Sequence, residues 1–238
     1  MDEGFYSIET TRYKFELNLY KYDNIYAFEF GDPANIEGAC VGLTYDTNKP
    51  TILKLDHLSY YKRCSKDKDL LKGTGTQEML QTILKLCIEH FPNIKKVVFN
   101  DVSFFECNNQ QILLSVYYLL LYGETWYESK FGAKIAENKN KLCKFKALLN
   151  EKPQNNIFSF YDSSKEYTNW HTYFRTMSCE NMMKHKKEID KVAGIRFMYS
   201  EWYIKRSTIM KYDINMKIKQ IKTGGNVNIK PTLKFIIV

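Results

Sequence analysis

Two glycines separated by one residue give the stretch Asp69-Leu-Leu-Lys-Gly-Thr-Gly-Thr-Gln-Glu-Met79 the most restrictive residue pattern in the chain. Gly73 and Gly75 let the backbone turn tightly and let a ligand approach it closely. The first-turn amides of a helix starting here have no internal partner, and the helix dipole adds positive potential, so the loop suits a phosphate. The simpler reading is that two glycines only turn a loop, because such signatures are weak outside their context.

That context is a strand, a helix and a second strand. Thr51 to Leu58 is an apolar strand candidate, and Lys96 to Asn100 is another. Between them, Met79, Leu80, Ile83, Leu84 and Cys87 recur at three- and four-residue steps, which predicts a helix over about 76–90 with one core-facing stripe. Thr74 or Thr76 is the expected cap, and Pro92 stops the helix. Together these form a βαβ unit, whose crossover is right-handed almost without exception. Upstream, Tyr13, Phe15, Leu17 and Leu19 alternate with polar residues, and Tyr26, Phe28 and Phe30 do so again after the turn signal Asp23-Asn24. With a third strand over about 39–45, the first 60 residues read as an antiparallel meander. Downstream, a helix over about 110–122, capped by Asn108 or Asn109, is apolar nearly all round apart from Ser115 and is expected to be deeply buried. Gly123 ends it, and a helical turn over 124–130 and a strand over 134–136 follow.

Composition narrows the class. The chain has 238 residues and no apolar stretch long enough to span a bilayer. Its N-terminal residues show no basic region followed by an apolar one, so no secretion signal is read there. The six cysteines are dispersed without metal-ligand spacing, and free thiols in a reducing compartment are expected. The four histidines are equally scattered, so no zinc site is expected. Residues 1–138 carry 15 basic and 19 acidic side chains, whereas residues 139–238 carry 20 and 8. That asymmetry points to a polyanionic partner, or simply to a solvated basic face. Abundant lysine, asparagine, isoleucine and tyrosine suggest an AT-rich coding genome.

Over about residues 12–137 the order of elements resembles the GNAT family of acetyl-CoA-dependent N-acyltransferases. That family's loop reads Arg or Gln, two residues, Gly, one residue, Gly or Ala. Here Leu70, Leu71, Lys72, Gly73, Thr74 and Gly75 stand in those places, so both glycines match and Leu70 departs. The family's later aromatic-Tyr-Glu segment is matched by Trp126-Tyr127-Glu128, with one additional residue before Gly132. The helical pair that usually follows the first strand is absent. The resemblance implies a pyrophosphate of acetyl-CoA on the amides of Lys72, Gly73, Thr74, Gly75, Thr76 and Gln77, with charge from the Lys72 side chain. It implies a pantetheine arm between strands that splay apart, and Tyr127 as the acid for the leaving thiolate. For the base it implies a carboxylate near the centre of the sheet: Asp56 first, with Asp101 and Glu106 as the other candidates. His57 is a weaker choice, because neighbouring strand residues face opposite ways.

Residues 139–238 resemble no known family. Helices are expected over about 141–151 and within 167–191, the latter stopped by Gly194. Residues 197–204 fit helix or strand. From Met210 onward alternation returns with interleaved lysines, and Thr223-Gly-Gly-Asn226 reads as a hairpin turn in a basic β-ribbon. The expected fold is therefore α/β (α+β): a mixed sheet with an N-terminal meander and a central βαβ unit over 1–138, then a mixed, basic C-terminal extension over 139–238. Two functions follow. One is an N-acyltransferase acting on a small-molecule or protein amine. The other is an inactive fold serving in an assembly, such as the particle of a large DNA virus, with residues 211–238 contacting protein or nucleic acid. A cytoplasmic location, or the host cytoplasm or virus particle if the chain is viral, is expected.

Overall fold

The computed structural model describes residues 3–31, 39–107, 110–195, 197 and 200–223. The fold is mixed α/β. Strands β1 (Gly4–Thr10), β2 (Lys14–Tyr22), β3 (Ile25–Phe30), β4 (Val41–Asp46) and β5 (Ile52–Leu58) form an antiparallel meander. Alternation explains it: Phe15, Leu17, Leu19, Phe28, Phe30 and Leu43 are buried together, while Lys14, Lys54 and Asp56 face outward. Asp23 takes the left-handed conformation in the β2–β3 turn, a conformation that aspartate tolerates. β1 was not anticipated, although Tyr6 and Ile8 carry the same period and are buried.

Helix α1 (Thr74–His90) buries the whole predicted stripe and leads to β6 (Lys96–Asn100), which runs parallel to β5. Its N-cap is Gly73, with no side-chain cap, so neither Thr74 nor Thr76 takes the role expected of it. Past its end, the Phe91 ring lies 4.4 Å from that of Tyr45 and 5.0 Å from that of Tyr26, tying the helix to the meander. A two-stranded hairpin, β7 (Phe104–Cys107) and β8 (Gln110–Leu113), then occupies the start of the predicted buried helix. That helix, α2, begins only at Leu114 and runs to Tyr122, stopped by Gly123 at φ +78°. The proposed caps Asn108 and Asn109 lie outside the described residues. α3 (Trp126–Phe131) and β9 (Lys134–Ile135) complete the first part.

The remaining elements are α4 (Lys139–Leu149), α5 (Trp170–Phe174), α6 (Cys179–Lys184), α7 (Lys186–Ala193), β10 (Glu201–Lys205), α8 (Arg206–Ile209) and β11 (Met216–Thr223). The expected helical region 167–191 is divided because Asn169 and Ser178 each accept an amide hydrogen bond and start a new helix. The sheet order is β11-β1-β2-β3-β4-β5-β6-β10-β9. It is thus continuous across residue 138: β10 lies between β6 and β9, and β11 pairs with β1. β11 therefore meets β1 and not a hairpin partner within the described residues. The proposed turn beyond Thr223 and the return strand lie outside them. No helix among the described residues is long and apolar enough to cross a membrane.

The cysteines correct the expectation of free thiols. Cys40 is bonded to Cys64 and Cys107 to Cys179, leaving Cys87 and Cys143 free. Separations of 24 and 72 residues carry no local signal; only the fold brings the Cα atoms to 5.9 and 6.0 Å.

Two outcomes follow. Thiol labelling of protein unfolded without reductant should count two cysteines, and reduction should lower stability by about 2–4 kcal/mol per bond. A chain ending at 138 loses β10, hence the Trp202 partner of Phe99 and the Ile204 partner of Val97. It should show no cooperative thermal transition by circular dichroism, in contrast to the full chain.

Candidate functional site at the parting of two parallel strands

β5 and β6 pair over only three positions, Ile52 with Lys96, Leu53 with Val97 and Lys54 with Val98. Beyond these the strands are held by different neighbours. β5 follows β4 as far as Leu58, through a bulge beside Gly42 and Leu43. β6 follows β10 as far as Asn100. Bulges bend and twist the strand that carries them, so the two parallel strands diverge towards their carboxyl ends. The glycine loop follows β5 in the chain and opens α1, and its near neighbours are Leu70 and, at the β1–β2 turn, Tyr13.

Within the loop the two glycines have different causes. Gly73 sits at φ +82°, a conformation that favours glycine, with open space where a Cβ would stand. A Cβ on Gly75 would lie 2.9 Å from Leu70 Cγ and 3.2 Å from Tyr13 Oη, so close packing by the protein itself demands that glycine. Leu70, at the family's Arg/Gln position, is buried and pinned by Tyr60, whose hydroxyl donates to its carbonyl at 3.0 Å. Three of the six loop amides are already engaged. Thr74 N–H donates to Lys72 O, Gly75 N–H to Leu71 O and Gln77 N–H to Gly73 O. The amides of Lys72, Gly73 and Thr76 make no such backbone bond, and the Thr76 hydroxyl is buried without a partner. Glu78, one turn on, is neutralised by Arg12, whose Nε donates to it at 2.6 Å, and it accepts a second bond from Thr10.

A polar cluster is buried just past the end of β6. The Tyr127 hydroxyl lies 3.3 Å from Ser103 Oγ, and its ring lies 4.6 Å from Phe99. Tyr127 is held there by α3, which starts at the reciprocal capping pair Thr125 and Glu128 and ends at left-handed Gly132. Asp101 is 1% exposed, and its Oδ1 accepts the Ser103 N–H at 3.1 Å. Burial pushes the Asp101 carboxyl above its ordinary pKa, and Ser103 and Ser115 oppose the shift. Ser115 acts by proximity, since Asp101 Oδ2 and Ser115 Oγ each lack a partner at hydrogen-bonding geometry. Burial also raises Tyr127 well above the usual phenol value; the Asp101 charge adds to this and Ser103 opposes it. A protonated phenol and a carboxyl poised to take up a proton thus face the same serine. That pair can donate and accept a proton without exposure to bulk water.

Asp56 is not part of this cluster. It accepts from Thr44 Oγ1 at 2.6 Å and pairs with Lys54 at 2.7 Å on the outward face, whereas Phe99 and Tyr127 belong to the covered face. The bulge also defeats strict alternation for His57. Its ring lies over Gly42, where a Cβ would meet Cε1 at 2.3 Å, so it shares the outward face with Asp56. The Glu106 side chain lies outside the described residues. Ser103 and Ser115 were missed as cluster members. Ser115 had left a trace, as the one serine in a helix segment otherwise made of aliphatic residues and tyrosines.

No family model matches the chain, and no curated protein or solved structure matches it either.

The raised Asp101 carboxyl has a definite sign in the pH dependence of stability. The folded state holds the proton more tightly than the unfolded state, so this group costs no stability below its unfolded pKa. The cost grows as pH rises through the window between the unfolded and folded values. Asp101→Asn keeps an acceptor for Ser103 N–H and removes that cost. The Tm difference between variant and wild type should therefore increase in the variant's favour from about pH 4 to pH 7. A pH-independent difference would mean that the Asp101 carboxyl is not shifted.

Proposed function

We propose that the chain is an N-acyltransferase that moves an acetyl group from acetyl-CoA to an amine, with its centre at the parting of β5 and β6. The observation that carries this reading is the parting of a parallel strand pair beside a buried tyrosine and carboxyl that meet at Ser103. The unpaired edges of Leu55–Leu58 and Phe99–Asn100 offer backbone groups to an extended pantetheine arm. The amides of Lys72, Gly73 and Thr76, with the exposed Lys72 ammonium, remain for the pyrophosphate. In transfer, the amine nitrogen forms a bond to the acyl carbon as the carbon–sulfur bond breaks. Tyr127 supplies the proton that the departing sulfur takes. Asp101, reached through Ser103, accepts the proton that the amine loses. Asp101 replaces Asp56 as the base in this proposal because it shares the covered face with Tyr127.

A second reading, a binding or structural component without catalysis, is favoured by the three loop amides bonded within the protein and by Tyr127 being only 3% exposed.

Acetyl-CoA at millimolar concentration should raise the Tm by mass action, and saturation a hundredfold above Kd corresponds to about 2.7 kcal/mol. Lys72→Glu should remove most of that shift. Tyr127→Phe should keep the shift and lower the release of free CoA thiol by about 10²–10⁴-fold in the presence of an accepted amine. Absence of any shift in the wild type would decide for the second reading.

A further inference from the structure

At the opposite end of β6 from Asp101 lies an open groove of about 600 Å³, lined by Lys95, Lys96, Tyr203, Lys205, Arg206, Ser207 and Met210. Four of these seven residues are cationic and none is acidic. No ion pair between any of the four and a carboxylate is found among the described residues. The register makes the charge costly: Lys96 and Lys205 are direct cross-strand partners on β6 and β10. Like charges placed opposite each other on antiparallel strands repel and destabilise the pair. Arg206 is spoken for, since its guanidinium donates to Ile88 O at 3.0 Å and Ile94 O at 3.3 Å, closing the end of α1 against β6. Lys95, Lys96 and Lys205 therefore carry the available charge. Two residues from Lys205 along β10, and so on the same face, stands the half-buried ring of Tyr203, with the Lys96 ammonium 5.8 Å from its centroid; exposed Met210 also lines the groove.

We infer that this groove binds a single-stranded nucleic acid, its phosphates against Lys95, Lys96 and Lys205 and a base against Tyr203. An anion between Lys96 and Lys205 relieves the repulsion that the free protein bears, so the unfavourable register is itself a signature of the ligand's sign. Lysines act as point charges towards phosphate, and a flat aromatic ring among cations is the arrangement that accepts a base irrespective of its identity. An acidic peptide would satisfy the lysines but leave the ring and Met210 without a flat partner.

Binding of a fluorescein-labelled oligothymidylate to the full chain, followed by anisotropy between about 50 and 200 mM salt, tests the assignment. Each phosphate neutralised on a single strand contributes about −0.7 to the slope of log K against log salt. The double variant Lys96→Gln, Lys205→Gln should therefore flatten the slope by about 1.4. It should melt no lower than wild type, because it removes a like-charge pair, and so separates lost binding from lost folding. Tyr203→Leu should weaken binding severalfold with the slope unchanged. Lys217→Gln with Lys219→Gln, on β11, should flatten the slope less than the groove variant. An unchanged slope in the groove variant would overturn the inference. So would equal competition by polyglutamate at matched charge, which would assign the groove to an acidic polypeptide.

Discussion

A parallel strand pair in this protein cannot stay paired because each member is committed to an antiparallel neighbour. β5 is registered on β4 through a bulge, and β6 is registered on β10 to its last residue. Antiparallel ladders are somewhat more stable per residue than parallel ones, so three parallel positions yield to the longer ladders on either side. Tyr127 packs on Phe99 of β6 beside the wedge that results, while the start of α1 is tied to Thr10 and Arg12 at the β1–β2 turn. The outer strands serve this by fixing the direction in which each central strand leaves.

Beneath that wedge the structure tolerates what a core normally avoids. Asp101 keeps one oxygen without a partner, and Ser115 keeps an unpaired hydroxyl inside an apolar helix. Buried polar groups in this condition cost free energy, of order 1–3 kcal/mol each, and persist where something other than stability retains them. Asn18, Thr76, Trp170 and Trp202 each bury a polar atom in the same condition, whereas Asp56, exposed on the outward face, accepts from Thr44 and pairs with Lys54.

Much of this was legible in the residues. Period-two alternation located β2 and β3, an apolar run located β5, and the stripe from Met79 to Cys87 located α1, because burial leaves a direct imprint on sequence. Gly123, Gly132 and Gly194 closed helices in left-handed geometry, two of them where stops were read. What escaped was non-local. The pairing of β11 with β1, the entry of β10 between β6 and β9, and both disulfides depend on contacts between distant segments that leave no local period. The two loop glycines were read as one device, yet one answers to backbone conformation and the other to the bulk of Leu70 and Tyr13. The faces of Asp56 and His57 could not be ordered without the bulge, since a single inserted residue resets the alternation.

The late arrival of β10 also bears on how the chain is made. β6 is complete at Asn100, but the strand that covers its free edge is not finished until Lys205. At typical synthesis rates of about 5–20 residues per second, that edge stays open for about 5–20 seconds. β1 waits longer still for β11. During that interval the nascent chain presents two unpaired edges that can recruit strands from neighbouring chains. Lys96, at the start of β6, is the charged side chain such an intruder meets there, and a lysine on an open edge disfavours its recruitment.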